Sequence, residues 1–528
     1  MSTAAAKDAP PARRWPRLLL WPAALAALSL TVGNHALGFA AWAGPLLLLA
    51  FTRQGARWPV LAMGALAMVC AQAIGWRGVL PLPADAYLAT TAGAGLALFL
   101  PYAIDRLAGG QLDGVGRLLL FPSAWVVAEY LVTRAGQGSW GAIAYAHLDS
   151  PALLQLAAVT GLSGIAFLNG VVATASLALW ERRLAPAALV PAGLVLGGLA
   201  VVMIAGTLRL AAAPQGATVR IAGIVADNLD AFRSSWGPLM RGKGLDAAMA
   251  ERARPAVRRL HEALFDASRR EARAGARLIV WSEANALVLA DEQPAFLAAA
   301  RALAAGERIH LFLGMAVITP GRSLAENKLV VIDPAGRVRA SYRKSHPTPS
   351  EASIRGSGKL GWIDTPYGRI AWAICYDLDY PELVMQAGRA GADLLIAPAW
   401  DDAGMTPLHA RMAALRAIES GAALFRPANG GLSLASDGRG VVLAQAMTAR
   451  GGVLVANLPI RRFGALYPVL GDWVPALAAI FLLGLAARRY SAAIAPGSAS
   501  SATASIRSRN SRTATFSPGP GASSAESR

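Results

Sequence analysis

Charge and cysteine are both scarce in this sequence. Charged residues make up 16% of 528, against roughly 25% in ordinary soluble domains. That shortage excludes a chain that is soluble throughout. The hydrophobic content of 55% excludes global disorder, which needs low hydrophobicity. Two cysteines exclude a disulfide framework. The sequence shows no regular His/Cys/Asp/Glu ligand spacing, no P-loop, and no dinucleotide fingerprint between a strand and a helix. Acidic residues are also few: 32 Asp+Glu face 50 Lys+Arg, for a formal net charge of +18. That balance fits nucleic acid, anionic lipid or the positive loops of a membrane protein.

Long apolar runs decide between these. A bilayer-spanning helix needs about 20 apolar residues. Seven runs qualify before residue 211: Leu18–Val32, Ala36–Phe51, Pro59–Trp76, Tyr87–Ile104, Leu118–Val132, Leu153–Leu179 and Ala187–Leu210. An eighth is Val469–Ala487. Lys7, Arg13, Arg14 and Arg17 precede the first run. Arg53 and Arg57, Arg106 and Arg117, and Arg182 and Arg183 fall in every second loop. The intervening loops carry only Arg77 and Arg134. By the positive-inside rule the N-terminus is cytoplasmic, the segment after Leu210 is outside, and Arg488 and Arg489 mark the return. The basic excess is then topological, and no nucleic acid partner is expected.

Ala211–Leu466 has a different texture. Val219–Val225, Leu278–Trp281, Leu311–Ile318, Lys328–Ile332, Ile370–Ile374, Leu394–Ala397 and Val453–Leu458 read as strands. Asp246–Ala274 reads as a long helix with His261, Glu262 and Arg269 on solvated faces. Asp333-Pro334-Ala335-Gly336 and Pro366-Tyr367-Gly368 are turn signals between strands. The expected organisation is a membrane domain over 1–210, an α/β catalytic domain over 211–466, a last span over 467–488 and a disordered cytoplasmic tail over 489–528, which is rich in Ser, Ala, Gly and Pro.

Three residues carry chemistry. Cys375 sits between an apolar strand and the helix-start signal Pro381-Glu382. There its sulfur can face a pocket, although free cysteine is also commonly inert core. Glu283 follows the strand Leu278–Trp281, where a general base can sit at a sheet rim, or equally a solvated acid. Lys344, in Ser341-Tyr342-Arg343-Lys344-Ser345-His346-Pro347, is an oxyanion-stabilising cation or a surface lysine. His346 reads as exposed, Asp401-Asp402 as a solvated loop, Cys70 as packing in a span, and Trp76 and Trp140 as interfacial anchors.

The order of these residues resembles the Glu–Lys–Cys series of the nitrilase superfamily: Trp281-Ser282-Glu283, then Tyr342-Arg343-Lys344, then Ile374-Cys375-Tyr376-Asp377. With the apolar runs it resembles the bacterial apolipoprotein N-acyltransferases. Phe121-Pro122-Ser123-Ala124-Trp125 with Glu129-Tyr130, Arg416-Ala417-Ile418-Glu419, and Arg426-Pro427-Ala428-Asn429-Gly430-Gly431-Leu432-Ser433 extend the likeness over nearly the whole chain except the tail. The resemblance implies a multispan α-helical membrane domain plus an extracytoplasmic nitrilase-like α-β-β-α sandwich. It implies a multi-pass protein of the bacterial inner membrane with its catalytic domain on the periplasmic side.

The implied partners are a phospholipid acyl donor and a diacylglyceryl-modified apolipoprotein acceptor, with no cofactor and no metal. Glu283 would serve as base, Cys375 as nucleophile and thioester carrier, and Lys344 with the Tyr376 backbone N–H as oxyanion donors. Glu351 would orient Lys344, and Asp377 would support the pocket. The family's pattern differs here at Ser282 (usually Pro), Asp377 (often Glu), Pro347-Thr348-Pro349-Ser350-Glu351 (a shortened loop) and Ala226 (usually Gln, with Asn228 retained). These departures predict ordinary donor use and a narrow or shifted acceptor choice. The rival readings are a membrane-tethered carbon–nitrogen hydrolase of amidase or nitrilase type, and an acyltransferase with a different amine acceptor. A transporter or scaffold would need ionisable residues deep in the spans, where Glu129 is the main one.

Overall fold

Apolar runs become helices wherever proline and glycine allow. In the computed structural model, which describes residues 17–181, 186–212 and 217–494, the expected spans form Arg17–Ser29, Gly38–Thr52, Arg57–Gly75, Ala84–Ala108, Gly114–Val132, Leu162–Glu181, Pro186–Ala211 and Trp473–Ile494. Among the described residues, six helices are long and apolar enough to cross a membrane, whereas Leu18–Ser29 and Gly38–Thr52 are shorter. Lys7, Arg13, Arg14, Arg182, Arg183 and the chain from residue 495 lie outside the described residues. The last helix continues past Ala487, so residues 489–494, expected in the tail, are helical. The chain divides into two units, Met1–Ala478 and Ala479–Arg528. The site described below lies wholly in the first.

One expected span is broken. Leu153–Leu179 is interrupted at Gly161 (φ +60°), where a side chain would meet the Tyr467 ring at 2.6 Å. Short turns at Pro151–Leu154 and Ala157–Thr160 precede the helix that starts at Leu162. Further along that helix, a Cβ on Gly170 would lie 2.7 Å from Pro122. The glycine thus lets Leu162–Glu181 and Gly114–Val132 cross closely. Arg53, Arg106 and Arg117 gather at one end of the bundle. Arg53 holds Asp105 at 2.8 and 2.9 Å, Arg117 approaches Asp105 at 3.4 Å, and Arg106 donates to the Arg53 carbonyl at 3.2 Å. Leu194 and Leu208 on Pro186–Ala211 leave 73% and 67% of their surface exposed, as lipid-facing positions do.

The second half folds as two sheets. The first orders Gly452–Pro459, Thr218–Val225, Leu278–Trp281, His310–Ile318, Glu326–Ile332 and Val338–Arg343, with Ala286–Leu289 also pairing His310–Ile318. The second orders Val442–Met447, Leu432–Ser436, Ala423–Arg426, Leu394–Ile396, Gly368–Trp372 and Trp362–Thr365. Strand alternation builds both faces of the first sheet. Ile221, Val280, Phe312 and Leu329 point at the second sheet and meet Trp372, Ile396 and Leu424. Ala222, Ile279, Leu311 and Val330 point out against Val257, Leu264, Phe296 and Leu303.

Helix Ala247–Arg273 supplies much of that outer layer. Asp246 caps it by accepting from the Met249 N–H at 2.7 Å, a cap worth about 1 kcal/mol. His261, expected on a solvated face, is half-buried and bonds the Leu287 carbonyl at 2.8 Å. Helices Pro381–Arg389 and Leu408–Ser420 cover the second sheet, completing an α-β-β-α sandwich. The far face of Leu408–Ser420, through Met412, Leu415 and Ile418, packs with Trp76, Trp140, Leu154 and Leu162. Trp76 and Trp140, expected as interfacial anchors, are therefore buried between the two halves.

Candidate active site

Each expected residue sits where a regular element stops. Glu283 lies beyond Leu278–Trp281, Lys344 beyond Val338–Arg343, and Cys375 opens the one-turn helix Cys375–Asp379 after Gly368–Trp372. Two residues there, Ala284 and Cys375, hold φ +47°. A non-glycine residue in that region costs about 1–3 kcal/mol and persists only where surroundings enforce it. At Cys375 the enforcing bond is its N–H to the Pro398 carbonyl, 2.9 Å.

The structure brings the three together and buries them, with 3%, 2% and 4% exposure for Glu283, Lys344 and Cys375. The readings of Glu283 as a solvated acid and Lys344 as a surface lysine therefore do not hold. Lys344 Nζ donates to Glu283 Oε1 at 2.7 Å and to Glu351 Oε2 at 2.6 Å. Asn327 Nδ2 donates to both carboxylates, at 2.7 and 2.8 Å. The Trp400 peptide spans the site: its N–H donates to Glu283 Oε2 at 2.8 Å, and its carbonyl accepts from Cys375 Sγ at 3.4 Å.

Electrostatics follow from burial and from this arrangement. Burial, then the Glu283 charge, pushes the Cys375 thiol well up, so the resting sulfur keeps its proton. Burial, with Glu351 nearby, raises the Glu283 carboxyl, against the pull of Lys344 and Asn327. Burial alone would lower Lys344, but Glu283 and Glu351 outweigh it and hold the ammonium charged. Burial would raise Glu351, but Lys344, Ser353 and Asn327 bring it below the usual range. The result is a protonated thiol, a carboxylate base of increased basicity and a fixed cation.

Asp377 stands under the Cys375 turn and is fully buried. It accepts from Tyr342 OH (2.7 Å), the Ile374 N–H (3.1 Å) and the His346 N–H (2.8 Å), and so ties the turn after Lys344 to the turn at Cys375. His346, expected exposed, joins this clamp, with its ring stacked on Tyr380 at 3.7 Å. Asp401, expected in a solvated loop, is buried and paired with Arg426 and His409. Sequence reading missed Asn327, Trp400 and His409. Asn327 left none, because it stands between Glu326 and Lys328 at the polar start of its strand. His409 left none, because its partners come from distant turns.

The triad opens into a cavity of about 480 Å³. Its walls come from both halves: Gln72, Thr91 and Leu98 from the helices, and Trp236, Pro349 and Tyr376 from the sandwich. Of the family motifs, Arg416 pairs with Glu419 at 2.8 Å and donates to Tyr145 OH at 3.1 Å, binding the sandwich to the membrane half. Asn429 donates to Asn228 at 3.0 Å. Glu129 is buried and accepts from Trp125 Nε1 and the Ile143 N–H.

Comparison with known proteins gives two family matches. The model described as Apolipoprotein N-acyltransferase N-terminal domain matches residues 17–175, and that described as Carbon-nitrogen hydrolase matches 247–467. Among curated relatives, an apolipoprotein N-acyltransferase of Brucella melitensis is 30% identical over 413 residues, spanning 70% of this chain and 72% of that protein. One from Geobacter metallireducens is 26% identical over 436 residues, spanning 75% and 79%. Among solved structures, an amidase from Nesterenkonia sp. matches at TM-score 0.38 and 21% identity, covering 47% of this chain and 92% of that one.

Proposed function

This chain belongs to the apolipoprotein N-acyltransferase family, and on that premise we propose that it moves an acyl chain from a membrane phospholipid, through a thioester on Cys375, to the α-amino group of a lipidated N-terminal cysteine. The observation that carries this reading is the cavity, in which Glu283, Lys344 and Cys375 share one wall system with residues of the membrane helices. Acyl chains cost about 0.8 kcal/mol per CH₂ to take into water. A nucleophile reached between apolar helices spares the donor that cost.

In the proposed first half-reaction Glu283 takes the Cys375 proton, and the thiolate attacks an ester carbonyl. Lys344 and the Tyr376 backbone N–H stabilise the oxyanion, and lysophospholipid leaves as its oxygen takes the proton back from Glu283. In the second, Glu283 takes a proton from the attacking acceptor amine, the tetrahedral intermediate collapses to an amide, and the proton returns to the departing Cys375 sulfur. Glu351 holds Lys344 in place, and Asp377 sets the turn geometry. Arg53, Arg106 and Arg117 gather at the end of the bundle away from the cavity, which supports a cytoplasmic N-terminus and a periplasmic sandwich in the bacterial inner membrane.

Purified protein given phospholipid alone should release lysophospholipid and gain an acyl mass on Cys375. A diacylated lipopeptide should then discharge it faster than water or a small amine does. Equal discharge by water would favour the tethered hydrolase. Equal discharge by a small amine would favour a different acceptor. A reporter fused after Ala212 should act outside the cytoplasm, and one after Arg489 inside.

A further inference from the structure

Behind the nucleophile lies a second group of buried charges. His409, on helix Leu408–Ser420, places Nδ1 2.7 Å from Asp401 Oδ1 and Nε2 3.2 Å from Asp379 Oδ2. Asp401 is ionised, because Arg426 binds both of its oxygens, at 2.9 and 2.7 Å. Asp379 Oδ2 already accepts from Trp140 Nε1 at 2.8 Å. Carboxylate oxygens only accept, so an imidazolium donates from both ring nitrogens; Arg426 Nη2 also lies 3.0 Å from Nδ1, and the shorter contact, 2.7 Å to Asp401 Oδ1, assigns Nδ1 as a donor. Charge gives the same answer. Asp379, Asp401, Arg426 and His409 are all within 2% of full burial, and with both aspartates ionised their charges cancel when His409 is protonated. A neutral ring would leave one uncompensated negative charge in the interior, which is costly.

This ring lines the same cavity as Cys375. A His409 nitrogen, an Asp401 oxygen and Cys375 Sγ all lie within 4.8 Å of one another. That spacing resembles a cation site, but Arg426 occupies Asp401 and both ring nitrogens carry protons, so the imidazolium is itself the cation. Its anchor reaches the membrane half. The Asp379 carbonyl accepts from the Ser139 N–H at 2.8 Å, and Tyr380 OH donates to the Gly136 carbonyl at 2.7 Å.

We propose that His409 is a positioning residue for the nucleophile, an imidazolium clamped by Asp379 and Asp401 whose charge favours the Cys375 thiolate and whose place is set from the membrane half by Ser139 and Trp140. The charged groups facing it are Asp379, Asp401 and Arg426, with Cys375 across the cavity wall and Asp402 at the lining. The inference rests on Cys375 being the nucleophile. Its test uses no lipid, so it stands or falls apart from the acyl-transfer reading.

The test measures iodoacetamide alkylation of Cys375 from pH 6 to 10, in the full chain in detergent with Cys70→Ala as background. His409→Gln should raise the thiol's titration by about one to two pH units. With the compensating rise in thiolate nucleophilicity, alkylation at pH 7.5 should slow about three- to tenfold. The gap should close toward high pH, and His409→Lys should restore most of the rate. An unchanged rate, or the same loss at every pH, overturns the proposal. A measurement on the unaltered ring keeps the test open should His409→Gln fail to fold. Nitrogen-15 histidine spectra of the protein, assigned by substituting the other five of the six histidines, should show a doubly protonated His409 ring at pH 7.5. A neutral tautomer there overturns the proposal.

Discussion

Lys344→Met removes the cation that sits 2.7 Å from Glu283 and 2.6 Å from Glu351. What remains is two buried carboxylates bridged by one Asn327 nitrogen, hence about 5 Å apart, where an effective dielectric near 20 gives a repulsion of about 3 kcal/mol. One of them must take a proton. Breaking such a buried arrangement costs about 3–5 kcal/mol of stability. Loss of an oxyanion donor slows the chemistry about 100- to 1000-fold. The two effects separate in a double variant. Lys344→Met with Glu351→Gln removes one of the stranded charges and should recover most of the lost melting temperature while leaving thioester formation slow. The assay pairs thermal melts with time-resolved mass spectrometry of the Cys375 acyl adduct. A Lys344→Met rate within tenfold of wild type, or a double variant that recovers rate as well as stability, refutes the electrostatic role.

Cys375→Ala should abolish acyl transfer with a melting temperature near wild type, while Cys375→Ser should fold and transfer poorly, because an alcohol is harder to deprotonate than a thiol; both are read by product mass spectrometry and melts. Asp377→Ala strips the acceptor shared by Tyr342, Ile374 and His346. It should lower both melting temperature and thioester formation, whereas a surface Asp→Ala change such as Asp364→Ala should lower neither. His409, held up to about 9 from 6.5 by Asp379 and Asp401 against the opposing effect of burial, sets a pH window for stability. A group whose folded pKa is raised contributes fully below its unfolded value and is lost as pH rises through the folded one. About 3 kcal/mol should therefore fade between pH 6.5 and 9.5. Melts of wild type should fall across that window more steeply than melts of His409→Gln, and parallel curves would contradict the assignment.

Much of the fold was legible because its signals are local. Apolar run length marks the spans, short continuous apolar runs mark buried strands such as Leu278–Trp281 and His310–Ile318, and turn residues at Asp333-Pro334-Ala335-Gly336 mark a hairpin. Half-exposed strands such as Val442–Met447 escaped, because their outer residues dilute the apolar pattern. The break at Gly161 escaped for a different reason. It answers to Tyr467, a residue about three hundred positions away.

The site divides along the same line. Glu283, Lys344 and Cys375 were readable as chemical types at strand ends in a recognisable order, because position along a strand is a property of the adjacent residues. That Lys344 bridges two carboxylates, that Asn327 serves both, and that Trp400 links base to nucleophile depended on packing two sheets face to face. Three of the misread residues share one cause. His346, Asp401 and Trp140 are polar or amphipathic groups in loops, and nothing nearby in the chain says whether such a group meets water or a partner. The sequence by itself determined which reactive residue types stand at strand ends and which runs are apolar enough to span a membrane. Only the tertiary structure decided which charges are buried together, because the energy of a charge depends on the neighbours that replace its water, and those neighbours come from remote parts of the chain.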